Sequence, residues 1–241
     1  MTVRPYPFGF LVSDKPIADQ EIVLPHFKKM DAWDDLEVYV QPDEPVQLIT
    51  GNDANILWFG HAAFVGDDEA RKPFIDEAYE AVSSSWQAFH EFLDLVVGRW
   101  AALIVKDGKV SVYNDTLASQ PVYIARDESI LFASHLPLLH RELNARTGQV
   151  EELINLGQYK LWDQTEDSRI SALPPNFFFD FTQKKLKRFY PHKALAAHSL
   201  PFEEAINTSI QLAIRSVEHW NGLNYKVYCC LLYTSPSPRD L

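Results

Sequence analysis

The feature that most constrains this fold is a hairpin signal between two apolar runs. Residues 97–105 and 110–114 flank Lys106-Asp107-Gly108-Lys109. Asp-Gly at such a point indicates a type I′ turn, because both central residues must adopt positive φ. The first run is nearly all apolar from Trp100 to Val105, so we expect both of its faces to be covered. The chain is therefore predicted to build a sheet with this run as a central strand.

Two further strand-like runs follow the hairpin. After a loop at residues 115–120 come residues 121–125 and 130–134, which are separated by a polar turn at residues 126–129. Short runs rich in Val, Ile, Tyr and Phe between polar turns are typical of antiparallel sheets. We predict that all four runs form one antiparallel meander.

Composition limits the class of protein. The chain has 241 residues, of which 46% are hydrophobic, enough for one large domain or two modest ones. Its net charge is −11, and its densest basic run, residues 184–188, is interpreted as the solvated side of a strand. Nucleic acid is not an expected partner, because binding it depends on basic residues that neutralise phosphates. The sequence shows neither a membrane-spanning stretch nor a signal peptide. We expect a soluble, cytoplasmic protein with no membrane partner.

Elements on the N-terminal side of the hairpin are predicted from periodicity and turn residues. The expected strands are residues 8–12, 36–40, 46–50 and 56–59. Residues 36–40 alternate between apolar and polar and are expected to be half-buried, as are residues 46–50. The strand at residues 56–59 is expected to be buried and to end at Gly60-His61. A turn is expected at Gly51-Asn52-Asp53. Pro73 suits the start of a helix with an apolar stripe at residues 74–82, and a second helical face spans residues 86–96. Ser84 and Gln87 have the spacing of a capping box for that second helix.

Elements on the C-terminal side are predicted in the same way. Residues 136–143 indicate a short helix, and residues 151–161 a second one with Leu153, Leu156 and Leu161 facing inward. Residues 177–181 and 186–190 form a second predicted hairpin around the polar turn 182–185. A linker at 191–201, a helix at 202–220 that stops at Asn221-Gly222, and a strand at 225–229 complete the prediction. The sequence shows no internal repeat.

Four short motifs follow one another along residues 50–229. The first joins Ile56-Leu57-Trp58-Phe59-Gly60, through a two-helix stretch, to Val97-Gly98-Arg99-Trp100-Ala101-Ala102. The others are Asn114-Asp115-Thr116-Leu117-Ala118-Ser119-Gln120-Pro121-Val122-Tyr123, then Phe132-Ala133-Ser134-His135, then Leu173-Pro174-Pro175-Asn176 with Arg188-Phe189-Tyr190. In this order they resemble the glutamine amidotransferase domain of asparagine-synthase-like proteins.

The resemblance implies a fold class and a domain organisation. Residues 1–190 would form an α+β, N-terminal-nucleophile (Ntn) hydrolase-like sandwich of two antiparallel sheets flanked by helices. Residues 191–229 would be a linker with the first helix and strand of an α/β ATP-pyrophosphatase (synthetase) domain. ATP and magnesium would bind to that further domain, so no cofactor is expected in the present chain. The implied partner is the chain's own synthetase domain, and a homodimer is left open.

Residues 230–241 are predicted to be foreign to the protein. Back-translation of residues 230–240 gives a string similar to the adapter of a transposon-based sequencing library. The alternative interpretation is a natural, disordered Ser/Pro tail. Cys229 and Cys230, the two cysteines of the chain, lie at this junction and define neither a disulfide nor a metal site.

The residues that carry glutaminase chemistry in the family are not matched. The family's nucleophile is an N-terminal cysteine whose own α-amine, with a pKa near 8, acts as the base. Thr2 follows Met1 here; it is the one candidate nucleophile, and we interpret it as an ordinary N-terminal residue. The family's glutamine-holding Asn-Gly-Glu corresponds to Phe59-Gly60-His61, which keeps only the glycine. Phe59 offers no amide to an oxyanion.

Other candidate sites are not supported by their spacing. His90-Glu91 is not followed by the second histidine of a zinc-binding helix, and no metal site is predicted. Asp115 is interpreted as a residue that shapes its loop, and no substrate-binding residue is identified. Three hypotheses remain open: an amidotransferase-like scaffold without glutaminase activity, a glutaminase that uses Thr2, and a non-catalytic interaction module.

Overall fold

The structure, a computed structural model, describes residues 6–19, 21, 26–33, 36–66, 72–156, 162–191, 201–222 and 225. Among these residues there are twelve strands and four helices. The strands are β1 (Phe10–Ser13), β2 (Lys28–Met30), β3 (Glu37–Val40), β4 (Val46–Thr50), β5 (Asn55–Phe64), β6 (Val96–Lys106), β7 (Lys109–Asn114), β8 (Tyr123–Ala125), β9 (Leu131–Ala133), β10 (Ile170–Ala172), β11 (Phe177–Asp180) and β12 (Lys185–Arg188). The helices are α1 (Phe74–Ser84), α2 (Trp86–Leu93), α3 (Leu136–Thr147) and α4 (Phe202–Gly222).

The strands form two six-stranded antiparallel sheets. The first has the order β10-β8-β9-β1-β3-β2, and the second has the order β12-β11-β7-β6-β5-β4. All the pairings between these strands are antiparallel. The described part of the chain is therefore α+β with two antiparallel sheets, as predicted.

Three apolar clusters hold the layers together. One lies between the sheets and includes Phe10 and Val12 from the first sheet and Phe59 and Leu103 from the second. A second joins the outer face of the second sheet to α1 and α2, and a third joins the outer face of the first sheet to α3. Each sheet thus buries apolar residues on both of its faces, and α1, α2 and α3 flank the sandwich as expected.

The predicted hairpin and central strand are confirmed. β6 lies between β5 and β7, and its residues from Trp100 to Ile104 are fully buried. Asp107 and Gly108 have φ values of 52° and 69°, as a type I′ turn requires.

The predicted single meander is wrong at one step. β6 and β7 belong to the second sheet, whereas β8 and β9 pair with each other in the first. The chain crosses from one sheet to the other at residues 115–122. Each hairpin has an apolar inner face, and placing the two hairpins face to face buries both inner faces against each other.

β5 does not end at Gly60-His61 as predicted but continues in register with β6 as far as Phe64. Two glycines allow this close pairing. A Cβ atom on Gly60 (φ 87°) would lie 2.3 Å from the Arg99 carbonyl oxygen, and one on Gly98 (φ 124°) would lie 2.1 Å from the His61 carbonyl oxygen. Gly60 therefore allows the two strands to approach closely and does not end β5.

The burial of β3 and, at Lys187, the exposure of the basic run at residues 184–188 differ from the predictions. β3 is buried on both faces and is not half-buried, because Val38 and Val40 face the other sheet while Tyr39 packs in the cluster beneath α3. In the basic run, Lys184, Lys185 and Arg188 are exposed, as the solvated interpretation predicts. Lys187 instead forms an ion pair of 2.6 Å with the buried carboxylate of Asp180.

The capping residue of α2 and the C-terminal end of α3 differ from the predictions, and local hydrogen bonds and backbone angles explain why. Pro73 precedes α1 directly, as expected. The cap of α2 is Ser85 and not Ser84, because the Ser85 Oγ accepts the Ala88 N–H at 3.0 Å. α3 is longer than predicted and ends before Gly148, which adopts φ 66°.

The helix predicted at residues 151–161 is wrong where the structure describes it. Residues 151–156 form no regular element, and Leu153 is 53% exposed. The Ile154 N–H donates to the Glu166 carbonyl oxygen and not to an upstream carbonyl of its own segment. Residues 157–161 lie outside the described residues.

The chain separates into two compact units, Met1–Phe64 with Asp68–Leu195 and Val65–Asp67 with Ala196–Leu241. The second unit contains α4, which confirms the predicted helix and in which no described residue is buried. Thr2, residues 192–200 of the predicted linker, residues 226–229 of the predicted strand and residues 230–241 lie outside the described residues. The assignment of residues 191–229 to a synthetase domain stays a prediction. None of the helices in the described part of the chain is long and apolar enough to span a membrane.

Candidate functional site

One end of the inter-sheet layer changes from apolar to polar. Phe10 and Phe59 stack across the layer with their ring centroids 4.2 Å apart, and both side chains are fully buried. Alternation along β5 and β6 places His61 and Arg99 two residues beyond Phe59 and Ala101 on the same face. His61 and Arg99 are cross-strand partners. The polar end of the sandwich is therefore built around a guanidinium group and an imidazole.

Arg99 is held from two directions. Its Nε donates to the Ser119 carbonyl oxygen at 3.1 Å, and its guanidinium lies over the Phe8 ring, 5.3 Å from the centroid. Within the described part of the chain, no carboxylate forms an ion pair with Arg99. The remaining N–H groups of the guanidinium are thus available to an anion from solution.

The loop that contacts Arg99 is organised by Asp115. Its Oδ1 accepts the N–H groups of Leu117 at 3.1 Å and Ser119 at 2.9 Å, and its Oδ2 accepts the Gln120 N–H at 2.7 Å. Ala118, between them, has φ 51°. These contacts confirm the interpretation of Asp115 as a loop-shaping carboxylate and direct the Ser119 carbonyl toward Arg99.

Glu44 lies in the turn between β3 and β4 and is only 6% exposed. The turn is anchored by the backbone, since the Gln41 N–H donates to Gly9 and the Gly60 N–H donates to Pro45. The Glu44 Oε1 has no hydrogen-bond partner among the described residues. Burial raises the pKa of the Glu44 carboxyl to about 8, against the opposing effect of the Arg99 charge. At neutral pH this carboxyl is mainly protonated and can donate a hydrogen bond.

Two histidines complete the surroundings of Arg99. Burial lowers the pKa of both His61 and His135, and the positive charge of Arg99 lowers it further. The His135 Nδ1 lies 2.8 Å from the Ser134 Oγ. Both imidazoles are therefore neutral at pH 7, and Arg99 carries the charge of the site.

Buried amides at the same end have unpaired oxygens. Gln120 donates through Nε2 to the Phe8 carbonyl oxygen at 3.4 Å, and Asn114 donates through Nδ2 to the Leu173 carbonyl oxygen at 2.9 Å. The Gln120 Oε1 and the Asn114 Oδ1 have no partner among the described residues. Buried polar atoms are normally hydrogen-bonded, so these two oxygens are exceptions among the described residues. We refer to Glu44, His61, Arg99, Gln120 and His135 together as the Arg99 cluster.

The residues singled out from the sequence are distributed unevenly around this cluster. His61 belongs to it and Gly60 directly precedes that residue, but the Phe59 side chain lies in the apolar layer. Thr2 is outside the described residues. The His90 Nε2 lies 3.1 Å from the Tyr113 hydroxyl, at the packed α2 face. No group of three potential metal ligands occurs among the residues described.

Sequence reasoning missed Glu44, Arg99, Gln120 and His135. Glu44 occurs in Pro42-Asp43-Glu44-Pro45, which is typical of a solvated turn, and nothing local indicates its burial. Arg99 did carry a signal, because it is a charged residue at the start of an apolar strand.

The described part of the cluster is better suited to binding than to acyl transfer. Ser134 is the hydroxyl closest to an imidazole, but it is 1% exposed and its Oγ accepts the Phe10 N–H at 2.9 Å. A nucleophile must be accessible and activated by its base. Ser134 instead serves the backbone of β1.

Comparisons with known proteins give one distant structural similarity to report. No family model matches the chain, and no curated protein matches it. Among solved structures, the chain is similar to glutamine phosphoribosylpyrophosphate amidotransferase from B. subtilis in complex with ADP and GMP, with a TM-score of 0.40 and 11% identity. The match covers 76% of this chain and 43% of that one, so the chain spans less than half of that protein's length.

Proposed function

We propose that this chain is the amidotransferase-like domain of an asparagine-synthase-like, amide-forming protein and that it does not itself hydrolyse glutamine. Four sequence motifs in order and a helix-flanked pair of antiparallel sheets support the first part. On this proposal, ATP and magnesium act in a synthetase domain that begins near residue 191 and is the domain's partner. The sandwich would serve as a scaffold for it.

The position of Phe59 is the observation that supports the absence of glutamine hydrolysis. This residue stands where the family has the asparagine of its glutamine-holding motif. Its side chain is fully buried and stacked on Phe10. It therefore has neither the amide nor the orientation to stabilise an oxyanion, a contact worth roughly 3–4 kcal/mol in comparable sites.

Release of ammonia from glutamine tests this proposal. The chain with its initiator methionine removed, so that Thr2 carries the free α-amine, is assayed beside Thr2→Ala and Thr2→Cys. We expect no turnover above buffer in any of them, because a better nucleophile does not restore the missing oxyanion contact.

Two results would contradict the proposal. Turnover by the wild-type chain that disappears in Thr2→Ala would establish the Thr2 glutaminase. Turnover by Thr2→Cys alone would show that the rest of the glutaminase site is intact and that Phe59 does not disable it.

A further inference from the structure

We propose that a small cavity between α2 and the outer face of the second sheet binds a phosphate group, either as inorganic phosphate or as the phosphoryl group of a small monoester. We call it the Ser111 cavity. Its volume is about 90 Å³, and its lining consists of Trp86, His90, Lys109, Ser111, Phe178, Asp180 and Lys187. This goes beyond the proposed function, which assigns no ligand to the sandwich.

Strand alternation explains how these side chains meet. Tyr113 and Phe178 pack in the cluster beneath α1 and α2, on the outer face of the sheet. Ser111 and Asp180 lie two residues from them and are cross-strand partners, so their side chains share that face. Lys187 is the cross-strand partner of Phe178 and lies there too. Three strands and one helix therefore converge on a single small space.

The Ser111 hydroxyl is the group in this lining that needs a ligand. Ser111 is only 2% exposed, and its side chain forms no hydrogen bond with the described residues. Unlike the enclosed oxygens of Glu44 and Gln120, its Oγ is open to water, because it lies on the cavity. Buried hydroxyls are normally paired, so the partner of this one is a molecule in the cavity. The volume exceeds what one water needs but is far below the roughly 300–1,000 Å³ of a pocket for a drug-sized ligand.

The charge of the lining favours an anion. The Lys187 ammonium lies 2.6 Å from the buried Asp180 carboxylate and 6.0 Å from the centroid of the Phe178 ring, so it is held in place before a ligand arrives. Burial acts to raise the pKa of Asp180, but hydrogen bonds from Lys187 and from the Gln183 N–H lower it overall. This carboxylate therefore offsets one ammonium group and leaves that of Lys109. The cavity is thus locally positive in a chain with a net charge of −11.

The donors in the lining suit a tetrahedral oxyanion better than a carboxylate. Two ammonium groups and one hydroxyl come from separate positions on β7 and β12, and a phosphate group has acceptor oxygens for all of them. Lysine binds phosphate as a point charge, whereas a planar carboxylate is best matched by the two parallel N–H groups of an arginine. The described residues that line the cavity include no arginine. The His90 Nε2 is already engaged, 3.1 Å from the Tyr113 hydroxyl.

Calorimetric titration of the full chain at neutral pH and low salt tests the proposal, with inorganic phosphate, glycerol 3-phosphate and acetate as probes. We expect a dissociation constant of about 0.1–1 mM for the tighter of the two phosphates, which identifies the source of the group, and weaker binding of acetate. Lys109→Gln should weaken phosphate binding roughly tenfold, and Ser111→Ala about fivefold or more. Lys28→Gln is the matched control, because it makes the same charge change at an exposed strand lysine of the other sheet, and it should leave binding unchanged.

Four outcomes would overturn the inference. If folded wild-type protein gave no heat of binding with either phosphate, the cavity would hold only water. If Ser111→Ala, shown to be folded by circular dichroism, bound phosphate as tightly as the wild type, the anion would bind elsewhere. Equal weakening by Lys109→Gln and Lys28→Gln would reduce the effect to net charge, and acetate binding as tight as phosphate would reject a tetrahedral oxyanion. Because binding is measured without turnover, failure here is distinct from failure of the proposal on glutamine hydrolysis.

Discussion

At the scale of single residues, Glu44 couples stability to pH. Its carboxyl has a pKa of about 8 in the folded chain against an ordinary value of 4.5. Between these values the folded protein retains a proton that the unfolded chain releases. The contribution of this group to the free energy of unfolding is therefore complete below pH 4.5 and is lost as the pH rises to about 8.

Glu44→Gln should remove this loss. We expect the variant to exceed the wild type in unfolding free energy by roughly 3–5 kcal/mol above pH 8, with the difference fading toward pH 4.5. Urea unfolding across this range measures it. His61 and His135 titrate in both proteins, so the difference between them isolates Glu44.

Glu37→Gln is a control of opposite sign. Burial acts to raise the pKa of Glu37, but hydrogen bonds from Lys29 and from the Ile17 backbone lower it overall. This variant should lose stability at neutral pH and approach the wild type as the pH falls below 4.5. Parallel behaviour of the two variants would contradict the assignment of Glu44 as a buried neutral acid.

Asp115 is the second residue whose removal has a calculable cost. Three backbone N–H groups of the 115–120 loop donate to its carboxylate. Asp115→Ala leaves them without that acceptor, and we expect the free energy of unfolding to fall by about 2–4 kcal/mol. Urea unfolding at neutral pH provides the measurement. Asp53→Ala, at an exposed turn, should change it by less than about 0.5 kcal/mol, and equal losses would refute the loop-shaping role.

At the scale of elements, local sequence signals correctly predicted the features that depend on neighbouring residues, namely one hairpin and three helices. Asp107-Gly108 fixed the β6–β7 hairpin, because its positive φ values depend on two residues alone. Apolar stripes likewise predicted α1, α2 and α4. The choice of sheet for β8 and β9 could not be predicted in this way, since it depends on which inner faces bury each other across a long sequence separation.

The same distinction explains why the candidate site was not predicted. Arg99 carries a local signal, because it is a charged residue at the start of an apolar strand, but no role was predicted for it. Glu44, Gln120 and His135 lie in three separate connections between elements, and they come near Arg99 only when the chain has folded into its two sheets. Short-range sequence patterns carry no information about how elements distant in the sequence pack together.

Paired glycines in β5 and β6 give an element-scale prediction. Gly60→Ala and Gly98→Ala each place a Cβ within 2.3 Å of a backbone oxygen and also require positive φ. Backbone atoms cannot move aside as a flexible side chain does, so we expect losses above about 3 kcal/mol in unfolding free energy, or no folding. Thermal unfolding followed by circular dichroism measures the effect.

Gly108→Ala and Gly148→Ala are the matched controls for these variants. Both positions have positive φ, but a Cβ there meets nothing within 4 Å. Each should cost about 1 kcal/mol, which is the conformational penalty alone. If all four variants lost similar stability, close approach of the strands would not be the reason for Gly60 and Gly98.

At the scale of the whole molecule, net charge and exposed apolar surface act in opposite directions on association. The charge of −11 makes copies of the chain repel one another. Helix α4 carries an apolar stripe with large exposed fractions: 76% for Phe202, 37% for Ile206, 48% for Ile210, 43% for Ile214 and 48% for Val217. A contiguous stripe of this kind is an association surface.

We therefore expect the chain to self-associate, and to do so more strongly as salt is raised, because salt screens the repulsion and leaves the apolar contact intact. Light scattering coupled to size-exclusion chromatography measures the mass. The double variant Ile210→Glu/Ile214→Glu should be monomeric at the same concentration, since it places charges in the centre of the stripe. Ser209→Glu/Gln211→Glu adds the same charge at exposed polar positions of the same helix and should still associate. Loss of association in both double variants would attribute the effect to net charge, and a monomeric wild type would show that the α4 stripe does not drive association.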